Sequence, residues 1–179
     1  GQILIIVPTN RKIRYLKREL VSQSPGKSVS KINLHTFETF TTQIFQTNDF
    51  DSFKSLSEAS SAVLLSKSFK KTELKYFSNY KNEIPRGTLD RIKNVITQYK
   101  LNGISPEQII SESKKLEGSE KLKATDIANV YKNYLVYCKE LNVYETGDVY
   151  SEVLGLDKKD FILRFNNSFS GIRTIVING

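Results

Sequence analysis

Residues 2–20 read QILIIVPTNRKIRYLKREL, and the fold turns on how that stretch changes period. From Gln2 to Pro8 the chain is an apolar run closed by proline, the pattern of a short strand buried on both faces of a parallel sheet. Beyond Pro8 the apolar residues Ile13, Leu16 and Leu20 recur at helical spacing, so a helix is expected from about Asn10 to Ser22, with Asn10 as its cap. Ser24-Pro25-Gly26 then breaks the chain. Val29 to Leu34 reads as a second strand, and Thr36 can cap a helix carrying Phe37, Phe40, Ile44 and Phe45. Strand, helix, strand, helix in that order favours a parallel α/β sheet.

The middle of the chain is helical from Ser57 to about Gly155. Leu89, Ile92, Val95, Ile96 and Tyr99 form one apolar stripe. Ser105-Pro106-Glu107 supplies a cap, a first-turn proline and a first-turn acid. The longest helix is expected over about Glu120 to Leu141, with Ile127, Tyr131, Tyr134, Leu135, Cys138 and Leu141 inward. Ile172 to Ile177 is a last apolar strand. Three short strands of the buried type, separated by so much helix, need the helices to form a unit of their own. The expectation is an α/β portion from residues 1–48 and 167–179, with an all-helical insertion over 49–166.

The chain has 179 residues, 39% hydrophobic and 26% charged, enough for one packed domain or a small one bearing a large insertion. No stretch approaches the ~18 apolar residues a membrane helix needs, and no signal-peptide cleavage pattern follows Val7. The single cysteine, Cys138, excludes an internal disulfide, and one histidine, His35, excludes the usual Cys/His zinc cages. A reducing, cytoplasmic setting fits. Residues 1–31 hold seven basic groups against Glu19 alone and so carry +6 of the net +8. Such concentration is the expected footprint of a phosphate-binding surface, against the plainer reading of a solvated lysine-rich face.

Most catalytic chemistry finds no foothold. Gly26-Lys27-Ser28 imitates the end of a phosphate-binding loop, but Val21 stands where the first glycine is required. The tripeptide also leaves a helix and enters a strand, the reverse of what the loop needs. It is a turn. Asp49 and Asp51, and Asp157 and Asp160, lie in polar connections with no histidine or second acidic cluster at ligand spacing. Cys138 falls on the inner stripe of a helix and reads as a core thiol. No G-x-S-x-G elbow is present. No metal or cofactor is expected.

The remaining signal is the basic helix. On a wheel, Arg11, Arg14 and Arg18 fall within about 60° of one another, opposite Ile13, Leu16 and Leu20. Three of the seven arginines in the chain thus share one helix face. Guanidiniums so spaced match phosphates, although a merely solvated charged helix is the competing reading. Thr9 and Asn10 stand where strand becomes helix, at the carboxyl edge of the sheet, where ligands of open α/β sheets dock.

I3-L-I-I-V-P-T-N-R-K-I-R-Y-L-K-R-E-L20 resembles motif Ia of superfamily 1 helicases, in which a strand ends in a T-x-T-N-K-A-A type sequence before a helix. K31-I-N-L-H-T-F-E-T-F40 resembles the following motif Ib, typically a strand and then T-F-H-S. With a helical insertion and a further apolar strand, the order is similar to the inactivated helicase portions of AddB-like subunits, found at the front of PD-(D/E)XK helicase–nucleases that process DNA ends for recombinational repair. The resemblance implies a partial RecA-like, P-loop-NTPase-like sheet. It implies that Thr9 and Asn10 touch a single-stranded DNA backbone and that Thr36 and Phe37 line the same track. It also implies a helicase–nuclease partner subunit and no membrane.

The departures from the pattern matter as much. No Walker A loop precedes Ile3, and Asn178-Gly179 stand where Walker B carries Asp-Glu, so the Mg²⁺-holding and water-activating acids are missing. Glu38 replaces the histidine of T-F-H, and Pro8 replaces the base-stacking aromatic before T-N, which points to phosphate contacts. The expected role is therefore a non-catalytic DNA-binding scaffold for single strands or duplex ends, through Thr9, Asn10, Arg11, Lys12, Arg14, Arg18, Thr36 and Phe37. Two other readings stand beside it: a module docking a partner subunit through the helical insertion, and a nucleotide-dependent enzyme.

Overall fold

The computed structural model describes residues 2–27, 32–47, 54–80 and 83–178. In chain order its elements are β1 (Ile3–Val7), α1 (Asn10–Gln23), β2 (Asn33–Thr36), α2 (Phe37–Phe45), β3 (Lys54–Ser55), α3 (Glu58–Lys71), α4 (Arg86–Leu101), α5 (Pro106–Ser113), α6 (Gly118–Glu140), β4 (Val143–Tyr144), α7 (Thr146–Gly155), α8 (Lys158–Ser168) and β5 (Thr174–Ile177). The chain divides into two compact units, residues 1–51 with 152–179, and residues 52–151. The expected boundaries at 49 and 166 need correction mainly at the second. There residues 158–166, expected in the insertion, form most of α8, which belongs with the α/β unit. Of the expected strand over Val29 to Leu34, the described part is seen in β2, which runs on to Thr36; residues 29–31, like Asp49 and Asp51, lie outside the described residues.

The α/β unit holds a three-stranded parallel sheet in the order β2-β1-β5. Its core is β1 and the aromatic side of α2: Leu4, Ile6, Val7, Leu34, Phe40, Ile44 and Phe45 are all buried. The reason α8 joins this unit is a phenylalanine ladder. Phe165 sits 6.4 Å from Phe40 and 5.5 Å from Phe169, and Phe40 stacks on Phe169 at 5.4 Å. Ser168 fastens the same joint, its carbonyl accepting from Gln43 and its hydroxyl bonded to Thr47. Phe161, Phe165 and Phe169 recur every fourth residue, but Ile162 and Leu163 between them, both exposed, blur the one-sided apolar stripe. β5 departs from the expectation of a buried strand. Its edge position leaves Ile175, Val176 and Ile177 at 47, 42 and 77% exposure.

The helical unit is built on α6, the longest helix, against α3 and α5. Ile127, Tyr131, Tyr134 and Cys138 are buried as expected, with Leu64, Leu65, Phe69, Ile92, Ile96 and Ile109 completing the core. Leu141 is a correction: it caps α6 and is exposed, because the helix ends before the residue can turn inward. The unit is also not wholly helical. β3 and β4 form a two-residue parallel pair, Lys54 with Val143 and Ser55 with Tyr144. Ser105 caps α5 through a reciprocal pair with Gln108, with Pro106 in the first turn, as the sequence anticipates. No helix among the described residues is long and apolar enough to cross a membrane.

Candidate nucleic-acid interface

The register of the sheet brings the two motif segments to one edge. Val7 is paired with Thr36, so Thr9 and Asn10, just beyond β1, and Phe37, just beyond β2, leave the same carboxyl edge on adjacent strands, about 5 Å apart. Asn178 reaches that edge too, its amide donating to the Ile6 carbonyl at 2.9 Å. Thr9, rather than Asn10, is the cap of α1. The backbone stays extended through Thr9 (φ −143°, ψ 153°), and its hydroxyl accepts from the Lys12 amide at 3.2 Å. Asn10 becomes the first helical residue, with its carboxamide at the exposed positive end of the helix.

Arg11, Arg14 and Arg18 are exposed along α1. Among the described residues, no carboxylate pairs with any of the three guanidiniums. Arg11 stands nearest the sheet edge, and Arg14 and Arg18 follow one and two turns away from it, so the row is about 10 Å long. Lys12 is turned aside, its ammonium lying 5.5 Å over the Tyr15 ring. Lys17, Arg18, Val21 and Ser22 line a shallow depression at the far end. The apolar face of α1 is only half covered, and no residue of the helix is buried.

Thr36 is placed differently from Phe37. Its side chain is buried and closes a reciprocal cap with Thr39, the two hydroxyls 3.2 Å apart, so it shapes the edge from within. Phe37 is 50% exposed at the start of α2, its ring 6.5 Å from Phe40. One residue was not anticipated. Tyr15, 56% exposed, follows Arg11 by one helical turn and so borders the arginine face. Its hydroxyl meets Glu19, whose bond and charge hold the phenol above its usual pKa. The i, i+4 spacing from Arg11 is a signal the sequence did contain. Behind the edge, His35 packs edge-on against Phe169 at 5.2 Å. Burial, with Lys17 nearby, lowers its pKa and favours the neutral imidazole.

The titratable groups of the helical unit form a different arrangement, one invisible to motif reading because its members are far apart in sequence. Lys100, with a side chain only 3% exposed, donates to Glu145 and Asp148 at 2.7 Å each and lies 5.0 Å over the Tyr134 ring. Tyr134 donates to Glu145 at 2.9 Å, and Ser61 closes the set. Burial alone would lower the Lys100 amine, but Asp148 and Glu145 reverse that and raise it. Burial likewise works against the Glu145 carboxylate, and Lys100 overrides it and holds the carboxyl low. The chain makes room for the lysine at Gly147, where a Cβ would meet the Lys100 Cβ at 2.6 Å and its carbonyl carbon at 2.7 Å. Burial pushes the Cys138 thiol up to about 11, which leaves it protonated and unreactive. This is a sealed set of paired charges suited to holding α4, α6 and α7 together. The gathered solvent-facing cations and the sheet edge belong to the α/β unit, and their chemistry suits a polyanion.

Comparison with known families adds one finding. A family model described as ADDB, N-terminal matches residues 1–157. No curated protein matches the chain.

Proposed function

The chain belongs to the AddB N-terminal family, and on that premise we propose that it is a non-catalytic DNA-binding scaffold, the inactivated superfamily 1 helicase portion of an AddB-type helicase–nuclease subunit acting in DNA end processing and recombinational repair. The observation that carries this reading is the row of Arg11, Arg14 and Arg18, exposed and unpaired among the described residues on the helix that leaves β1. Exposed arginines without acidic partners keep their donor forks for an external ligand, and phosphates match that fork.

Thr9 and Asn10 hold the strand-to-helix turn that aims the row. The positive end of α1 adds to the attraction for an anion at the sheet edge. Tyr15 supplies an exposed ring on the arginine helix and Phe37 another at the sheet edge, giving a base somewhere to lie. Parallel pairing in the order β2-β1-β5, with α1 after β1 and α2 after β2, is compatible with a partial RecA-like sheet. Asn178 and Gly179 after β5 offer neither carboxylate of a Walker B pair, so we assign the chain no part in ATP hydrolysis.

Salt dependence of binding tests the site. Replacing Arg11, Arg14 and Arg18 together by alanine should flatten the log–log salt slope for an oligonucleotide by roughly 2 to 3 units, since single strands release ~0.7 and duplexes ~0.9 counterions per contact. A slope and affinity untouched by the triple change would sink the assignment. Retention of a protein partner together with indifference to DNA at low salt would favour the subunit-docking role instead. Saturable Mg-ATP uptake in equilibrium dialysis would revive a nucleotide-dependent enzyme.

A further inference from the structure

We infer that the helical unit carries a second single-strand-binding surface, formed by the end of α3 and the following connection where they lie along α6. It belongs to the other unit and does not depend on the arginine row. Residues 67–81 contain five lysines against Glu73 alone, whereas the rest of residues 52–151 hold eleven basic and eleven acidic groups. The entire positive excess of the helical unit is therefore concentrated in one short segment. Lys67, Lys70, Lys71 and Lys75 are exposed, and none of them forms an ion pair among the described residues.

The fold turns this segment into a strip. Along one face of α6, Tyr137, Asn133, Asp126 and Lys123 follow at intervals of three, four or seven residues, and each holds a different part of it. The Lys71 ammonium lies 5.2 Å over the Tyr137 ring. Asn133 donates to the Thr72 hydroxyl at 2.9 Å. Buried Asp126 accepts the amides of Lys75, Tyr76 and Phe77 at 2.8 to 3.1 Å. Lys123 then adds its own cation 5.9 Å over the Tyr76 ring. Tyr76 and Tyr80 remain 44% and 38% exposed. From Lys123 to Tyr137 the strip is about 21 Å long at the helical rise, comparable to roughly six nucleotides of a stacked strand at 3.4 Å each.

Lysines interleaved with exposed rings are what a single strand needs. The ammoniums meet phosphates without regard to sequence, and a flat ring accepts any base. An acidic protein surface would use the same lysines but would not need Tyr76 and Tyr80 to present their rings. Asp126 is what makes the surface a shaped one, because it fixes the backbone from which Lys75 and Tyr76 project.

Binding of the full chain to a fluorescein-labelled oligo-dT by anisotropy tests the inference, with the arginine row left intact. Changing Lys67, Lys70, Lys71 and Lys75 to alanine should flatten the salt slope by roughly 2 to 3 units. Tyr76→Ala should weaken binding about fivefold or more, and Tyr76→Phe should leave it unchanged, since the ring is what a base stacks on. Circular dichroism of each variant guards against misfolding. Should Tyr76→Ala bind as well as the parent, or should the lysine changes leave the slope where it was, the surface is not a strand-binding one. If a poly-glutamate peptide competes as well as oligo-dT and is equally indifferent to Tyr76→Ala, the partner is an acidic protein and the inference fails. Because the arginine triple variant is measured separately, either site can fail without the other.

Discussion

The interior of the helical unit and the first helix of the α/β unit treat positive charge in opposite ways. Lys100 is sealed from water and holds two carboxylates at 2.7 Å each, beneath the Tyr134 ring. Arg11, Arg14 and Arg18 stand in water with no carboxylate paired to them among the described residues. A cation taken out of solvent must bring its partners with it, or the cost of desolvation unfolds the protein. One left in solvent carries no such requirement and remains available to something outside. The difference separates charge that holds a fold together from charge that waits for a ligand, although both register equally in the net charge of +8.

That contrast can be broken at several points. The largest effect is expected from Lys100→Met, which leaves the largely covered Glu145 and Asp148 without their counterion and should cost about 3 to 5 kcal/mol in urea unfolding. If the variant unfolds like the parent, the buried set is not structural. Asp126→Ala follows, because three amides lose one acceptor; about 2 to 3 kcal/mol is expected from the same measurement. Acidification then distinguishes the units. His35, its pKa lowered by burial, contributes stability that is complete above its ordinary value of 6.5 and is lost as pH falls through its lower folded value. Glu145, also held low, keeps its contribution until pH drops below the ordinary 4.5 and through its own folded value. Histidine NMR or local fluorescence should therefore report weakening of the α/β unit first, and His35→Phe should remove that early phase. Smallest of all, the arginine triple variant should leave the melting temperature unmoved while changing DNA binding. A clear fall in melting temperature would mean that those side chains are structural.

Much of this architecture could be read from the chain itself, since β1, α1, α2 and the start of α5 are encoded locally. The apolar run before Pro8, the Thr36 cap and the Ser105-Pro106-Glu107 signal each act within a few residues of themselves. The cap of α1 fell to Thr9 instead of Asn10 because both side chains can accept, and only the extended backbone at Thr9 decides between them. What could not be read was long-range. Nothing near Lys100 announces Glu145, nor does the neighbourhood of Asp126 announce the amides of 75–77. The membership of α8 depends on Phe40, distant in sequence from Phe165. The exposure of β5 is not legible in its sequence, because an apolar run shows what a strand could bury, whereas its place at the end of the order β2-β1-β5 decides what covers it. For the candidate interface, the arginine row followed from spacing alone. Tyr15 is legible in its i, i+4 spacing from Arg11, whereas the burial of Thr36 depends on the fold.

The grip of Asp126 on three successive amides has a practical consequence. Those N–H groups can trade hydrogen for deuterium only when the carboxylate releases them, so their uptake times the opening of the joint between α6 and the connection after α3. Lys75, Tyr76 and Phe77 are thus a label-free clock set into the helical unit. A ligand that clamps the neighbouring side chains would slow that clock, even where it leaves the overall melting curve unchanged.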